Sequence, residues 1–281
     1  MNKNVFTFIG CDCEYDEAKI VLFGAPFDST TSFRPGTRFA SSAIRNESFG
    51  IETFSPYQDK DLLDHKVFDS GDLELPFGSP EQALKDIEDR TQEILTDGKI
   101  PFMIGGEHLV TLGEFRAVAK KYPDVHIIHF DAHCDLRDDY LGVKLSHACV
   151  LRRCHDIVGD GRIFQFGIRS GDKDEFEFAK THTYLHRFDL DTLEETVEKL
   201  KGKPVYFTLD LDVLDPSEFP GTGTPEAGGV SFKELHKAVM LLSKLNIVGL
   251  DMNELSPVYD PSGRSTALAC KILREILLAI L

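Results

Sequence analysis

The stretch Val125-His126-Ile127-Ile128-His129-Phe130-Asp131-Ala132-His133-Cys134-Asp135 decides how this chain is read. Residues 125–130 are a short apolar run of the kind that forms a buried strand. The residues that follow set two acids and a histidine at alternate positions. Side chains two apart in an extended chain point the same way, so Asp131, His133 and Asp135 are expected to converge where the strand ends. Cys134 falls out of phase with them and is expected to point away and pack as a thiol.

Outward from this stretch the same pattern recurs. Apolar runs over 19–24, 100–104, 162–166, 204–209 and 246–250 also read as strands, and their lack of polar alternation favours a sheet covered on both faces. Helical patterns lie between them, over 109–122, 191–200, 231–242 and 264–281. The clearest begins at Ser79, with Pro80 in the first turn, Gln82 completing a capping box, Leu84, Ile87, Thr91, Ile94 and Leu95 at helical spacing, and Gly98 as the stop. Alternating strand and helix predict an α/β protein with a mainly parallel sheet. No repeat, low-complexity tract or composition break divides the chain, so a single domain over 1–281 is expected.

Open α/β sheets bind ligands beyond the carboxyl ends of their strands. The polar motifs of this chain fall there. Gly105-Gly106-Glu107-His108 follows Met103-Ile104, Asp131 to Asp135 follows the strand at 125–130, Asp210-Leu211-Asp212 follows 206–209, and Asp251-Met252-Asn253-Glu254 follows 247–250. Asp210 and Asp212 repeat the alternate spacing of Asp131 and Asp135. Together these four aspartates carry four negative charges, which two divalent cations would neutralise. Crowded at buried strand ends without a cation they would repel and take up protons, at a cost on the order of several kcal/mol. Carboxylates with imidazoles suit manganese, iron, cobalt or zinc. Aspartate oxygens outnumber nitrogens here, which puts manganese first.

The bulk properties agree. The chain has 281 residues, 42% of them hydrophobic, enough for a substantial core, and nothing in its composition suggests disorder or a disulfide scaffold. Thirty-one Lys and Arg against 47 Asp and Glu give a formal charge of -16, which repels nucleic acid and anionic membranes and favours cationic partners. No secretory signal or membrane-spanning run is apparent, and a cytoplasmic protein is expected. The six cysteines lack paired C-x-x-C spacing and read as reduced thiols, with Cys11 and Cys13 either structural or redox-sensitive.

Over nearly its whole length the sequence closely resembles the ureohydrolase family of arginases and agmatinases, the agmatinases most of all. The resemblance runs through residues 26–38 (Pro-Phe-Asp-Ser-Thr-Thr-Ser-Phe-Arg-Pro-Gly-Thr-Arg), 105–108, 129–135, Ser146-His147, Gly167-Ile168-Arg169-Ser170, 209–216, 221–226 and Glu254. It implies a three-layer α/β/α sandwich around an eight-stranded sheet. It implies two manganese ions per chain, one bound by His108, Asp131, Asp135 and Asp210, the other by His133, Asp131, Asp210 and Asp212, with Asp131 and Asp210 bridging. Asp135, His147 and Glu254 would be catalytic: Asp135 moving the proton of the attacking water, Glu254 pairing with a guanidinium, and His147 exchanging protons with solvent. Ala148 stands where the family often has glycine. Assembly as a trimer or hexamer is also implied, as is a small cationic guanidine substrate.

The loop after the D-x-H-x-D motif, residues 136–144, lacks the polar arginase signature and carries Asp138 and Asp139, which are expected to face the free amine of agmatine; cleavage would give putrescine and urea. Arg137 points the other way, toward a carboxylate-bearing substrate such as guanidinobutyrate or formiminoglutamate, unless neighbouring acids pair with it. Arginine is a further alternative. Among rivals, a two-metal phosphoesterase should supply cationic side chains for its phosphate, and a zinc deacetylase would not need the full aspartate set. An inactive homologue binding a polyamine or a protein would show a degraded ligand set. The remaining histidines are given no catalytic role, although His129 lies on the strand face of Asp131 and is expected to support it.

Overall fold

A computed structural model describes residue 1 and residues 4–281. Among the described residues ten strands occur in chain order: β1 (Ile20–Gly24), β2 (Phe54–Ser55), β3 (Lys60–Asp61), β4 (Val67–Asp72), β5 (Ile100–Ile104), β6 (His126–Phe130), β7 (Ile163–Ile168), β8 (Tyr184–Arg187), β9 (Pro204–Asp210) and β10 (Asn246–Asn253). The helices are α1 (Ala40–Glu47), α2 (Pro80–Thr96), α3 (Thr111–Lys121), α4 (Val150–Val158), α5 (Lys173–His182), α6 (Leu193–Leu200), α7 (Phe232–Leu242) and α8 (Arg264–Ile280). β2 and β3 form a small antiparallel ribbon. The other eight strands make one sheet in the order β4-β1-β5-β10-β9-β6-β7-β8, and every pairing in it is parallel.

Each face of the sheet has its own core. Alternate side chains divide between them: Ile20 and Leu22 of β1 and Val205, Phe207 and Leu209 of β9 pack with α1, α6, α7 and α8, whereas Val21, Phe23 and Tyr206 pack with α2, α3, α4 and α5. This is the three-layer sandwich, and burial on both sides is why the central strands read as unbroken apolar runs.

The apolar pattern located six of the eight strands. The two it missed, β4 and β8, are the sheet edges. An edge strand packs on fewer neighbours, so its sequence need not be apolar throughout: β4 reads Val-Phe-Asp-Ser-Gly-Asp and β8 reads Tyr-Leu-His-Arg. The pattern also passed over α1, α4 and α5. At the start of α2, Ser79 Oγ accepts from the Gln82 N–H at 3.4 Å, but the expected capping box is only half formed because the Gln82 side chain donates to Asp86 Oδ1 at 2.8 Å instead. Reciprocal boxes open α5 (Asp172 with Glu175) and α7 (Ser231 with Glu234). Among the described residues no helix is long and apolar enough to cross a membrane.

The ring of Phe207 is fully buried at the centre of one core and meets Phe130 edge-on at 5.1 Å. Phe207→Ala is expected to cost about 3–5 kcal/mol, read as a lowered denaturation midpoint at unchanged slope.

Candidate active site

The four central strands β5, β10, β9 and β6 are consecutive, and their register brings Ile104 beside Met252, Asn253 beside Asp210 and Leu209 beside Phe130. Their carboxyl ends are therefore level, and the polar motifs after them share one rim. Two glycines make this approach possible. A Cβ on Gly105 would stand 1.8 Å from Asn253 Oδ1, and one on Gly106 would stand 2.0 Å from the carbonyl oxygen of Phe27. Only glycine lets the chain leave β5 between these neighbours.

His108 is the centre of the deeper half of the site. Its Nδ1 lies 3.0 Å from Asp131 Oδ2, 3.2 Å from Asp135 Oδ2 and 3.3 Å from Asp210 Oδ2. Although close, none of these oxygens is aligned to accept a hydrogen bond from it. The other ring nitrogen, Nε2, sits 2.9 Å from Thr208 Oγ1, whose hydroxyl donates to Asp251 Oδ1 at 2.7 Å. With its hydrogen so committed, Thr208 accepts from the imidazole, which fixes the proton on Nε2 and leaves the Nδ1 lone pair facing three carboxylate oxygens. Asp251 is held in turn by Tyr206 and by Asn253 Nδ2 at 2.6 Å.

The outer half gathers around His133, whose Nδ1 is 3.1 Å from Asp212 Oδ2 and 3.4 Å from Asp131 Oδ1. Asp131 thus turns one oxygen toward each histidine. Asp210 presents Oδ2 to His108 while its Oδ1 accepts from the Asp212 N–H at 2.8 Å. The convergence of Asp131, His133 and Asp135 is real, but simple alternation does not produce it. Regular strand stops at Phe130, and Asp135 adopts a left-handed backbone with φ 54°.

With protons as its only counter-charge the cluster is frustrated. Burial opposes charge on both histidines, yet the adjacent aspartates hold His108 and His133 well above the usual imidazole range. Burial raises Asp131 too, but His108, His129 and His133 outweigh it and keep that carboxyl well below its usual range. Burial and Asp131 push Asp135 to about 7, and burial with Asp212 and Asp131 drives Asp210 well upward. A proton on His108 Nδ1 would meet no aligned acceptor. A divalent cation shared by the same atoms removes both the repulsion and the orphaned lone pair, so the residues fit a metal centre.

Neighbouring residues hold the cluster in shape. Gln165 Nε2 donates to His129 Nδ1 at 3.1 Å, so His129 donates from Nε2 to Asp131 Oδ2 at 2.8 Å, the supporting part expected of it. Arg169 gathers backbone carbonyls of Gly167, Asp212, Val213 and Glu226, fixing the turn that carries Asp212. Glu107 accepts from Thr30 and Thr31 and pins the 28–32 loop over the site; burial raises its carboxyl to about 7.

His147 is tied to that loop. Its backbone N–H donates to Thr30 Oγ1 and its Nδ1 lies 2.9 Å from the Thr30 carbonyl, so Nδ1 carries the proton and Nε2, 3.2 Å from Ser32 Oγ, is left as an acceptor. Burial lowers this imidazole to about 4. Glu254 sits deeper, with its own left-handed backbone (φ 66°), and its Oε1 accepts from the His108 N–H at 2.7 Å. Burial, Glu107 and Asp212 push its carboxyl well upward, against the hydrogen bond and the charge of His108.

A cavity opens above His133 and Asp135, bounded by Ser32, His147, Tyr140, Arg137, Asp172 and Glu175. The loop acids expected to face it do not. Asp138 is exposed and pairs with Arg153 at 2.9 Å, and Asp139 accepts from the Gly142 N–H. The acids on the cavity wall are Asp172 and Glu175, which hold Arg137 at 2.9 and 3.5 Å. Sequence reasoning missed both. The D-x-x-E spacing of a capping box just after Gly167-Ile168-Arg169-Ser170 was the available signal, since it starts a helix at a strand's carboxyl end. Cys134 is buried as expected, all six cysteines are free thiols, and burial raises both Cys11 and Cys13, which disfavours reactive thiolates there.

Comparison with known proteins places this geometry. A sequence model described as the arginase family matches residues 18–279. An agmatinase of Bacillus subtilis is 49% identical over 96% of this chain and 95% of its own. A crystal structure from Clostridium difficile superposes with a TM-score of 0.93 at 56% identity, covering 95% of this chain and 98% of that one. The agmatine ureohydrolase of Thermoplasma volcanium gives a TM-score of 0.90 at 36% identity, covering 99% and 94%. With a parallel eight-stranded sheet, an acidic rim at its carboxyl edge and relatives alike along their full length, the chain belongs to the arginase family.

Proposed function

We propose that this protein is an agmatinase, which hydrolyses agmatine to putrescine and urea with two manganese ions per chain. One ion would be held by His108, Asp131, Asp135 and Asp210, the other by His133, Asp131, Asp210 and Asp212. The observation that carries the reading is the bare Nδ1 of His108 set among three carboxylate oxygens, in an acidic cluster with which no Lys or Arg among the described residues is paired. When bound, the ions supply Lewis acidity and acidify a water near neutral pH.

The chain's own residues supply the rest. Glu254, buried and unbalanced, pairs with the guanidinium and becomes ionised as it does so, since a cation beside it reverses the effect of Glu107 and Asp212. Water adds to the guanidinium carbon, the bond from that carbon to the chain nitrogen breaks, and urea and an amine leave. One of the water's two protons leaves to solvent; Asp135 accepts the remaining one and delivers it to the departing nitrogen. His147, neutral and with Nε2 an acceptor beside Ser32 Oγ, exchanges protons between the cavity and solvent.

Selection of agmatine rests on the cavity wall. A free guanidinium on Arg137 would repel an amine and attract a carboxylate, but Asp172 and Glu175 hold it on two sides. Two acids against one arginine leave the wall acidic, which suits a cationic tail. Residence in the cytoplasm and assembly as a trimer or hexamer belong to the same reading. Phe33, Phe39, Phe77 and Leu141 stand exposed, apolar surface of the sort subunit contacts cover.

Urea release measured side by side on agmatine, arginine and 4-guanidinobutyrate should be dominated by agmatine; dominant activity on arginine would refute the substrate. Asp135→Asn should lower turnover by about a thousandfold with an unchanged circular dichroism spectrum, and a near-normal rate would remove Asp135 from its role. Elemental analysis of protein prepared without chelator should give two manganese per chain. Thr208→Val, which strips His108 of its hydrogen-bond partner, should weaken manganese binding by about 10–100-fold in an equilibrium titration.

A further inference from the structure

On the sheet edge opposite the acidic rim, three side chains meet that the proposed chemistry does not use. His155 lies in the last turn of α4, Asp160 in the turn that leads into β7, and His182 ends α5 just before β8. All three sit at the amino ends of strands, whereas the candidate active site sits at carboxyl ends. His155 Nε2 lies 2.8 Å and His182 Nδ1 2.6 Å from one and the same atom, Oδ1 of Asp160. Neither ring is loose. Phe178 meets His155 edge-on at 5.0 Å and stacks on His182 at 4.1 Å, and the two imidazoles are themselves 5.2 Å apart. Packing has thus already met much of the entropic cost of assembling a ligand set.

We propose that His155, Asp160 and His182 form a second metal site, for zinc or a similarly borderline transition metal, that ties the end of α4 to the end of α5. One candidate ligand atom from each residue lies within 4.8 Å of the others. Ligands of a tetrahedral zinc stand about 3.3 Å apart, so the contacts need only open slightly as the ion takes the place of the two shared protons. Asp160 can yield that movement, being on a turn with its side chain 65% exposed. Water completes the shell from the solvent side.

Two imidazoles and one carboxylate favour zinc, nickel or copper over manganese or magnesium. The site therefore selects against the ion proposed for the catalytic cluster. To bind, each ring must turn a lone pair to the ion and carry its proton on the other nitrogen. For His182 that nitrogen is on the solvent side of a partly exposed ring. For His155 it is Nδ1, buried with no partner, and the orphaned N–H there holds the affinity to a moderate level.

The test uses manganese-loaded protein dialysed against micromolar zinc. Wild type is expected to retain one more zinc per chain than His182→Gln or Asp160→Asn by elemental analysis. Zinc is expected to raise the melting temperature of wild type and of neither variant. Both substitutions lie away from the rim and are expected to leave urea release unchanged, which separates this site from the catalytic one. In crystals soaked with zinc, anomalous scattering at the zinc edge should place an ion between the three side chains. Equal zinc retention by wild type and variants, or a soaked crystal with zinc bound elsewhere and none here, overturns the proposal.

Discussion

Charge crowding at the carboxyl rim is the constraint to which the rest of the structure answers. Asp131, Asp135, Asp210 and Asp212 are all buried, and adjacent parallel strands leave them nowhere to disperse. Unpaired, such carboxylates would cost several kcal/mol in all, on the order of the net stability of a domain. The chain meets part of this with backbone N–H groups: His133 donates to Asp131 Oδ1, Ala132 to Asp212 Oδ1, and Asp212 to Asp210 Oδ1. For Asp210 and Asp212 that arrangement turns the second oxygen inward, toward the histidines. The local turns that relieve the repulsion are the same turns that aim the ligands.

The two halves of the cluster differ in exposure. His108, after β5, is buried beneath the 28–32 loop, whereas His133, after β6, keeps 24% of its side chain exposed to the cavity. Support differs accordingly. Behind His108 stands a buried chain of Thr208, Asp251, Asn253 and Tyr206; behind Asp131 stand His129 and Gln165. An ion in the deep half would therefore be built in with the core, whereas the outer half opens to the cavity.

How much of this the sequence made legible follows burial. Strands buried on both faces announce themselves as apolar runs, so the four that carry the site could be read directly, and their polar termini marked the rim. The edge strands β4 and β8 are half polar and were invisible to the same reasoning. So was α4, which begins without a side-chain cap, whereas α5 carried its signal in the capping box of Asp172 and Glu175 rather than in periodicity. Side-chain aim was legible only where spacing decides it. Asp135 and Glu254 reach the site through left-handed backbone, and no alternation rule predicts that. Asp138 and Asp139 were placed at the cavity because they are acidic and near in sequence, but Arg153 lies within reach of Asp138 and draws it to the surface.

That last displacement bears on how selectivity is built. The acids that face the cavity come from the start of α5, where Glu175 also accepts from the backbone N–H groups of Asp172 and Leu136. One side chain thus begins a helix, anchors the loop after the D-x-H-x-D motif and restrains Arg137. The candidate metal-binding residues reach no further into the cavity than Asp135 and His133. Beyond them the cavity wall carries Arg137, Asp172 and Glu175, and the charge balance among these three is tied to the start of α5.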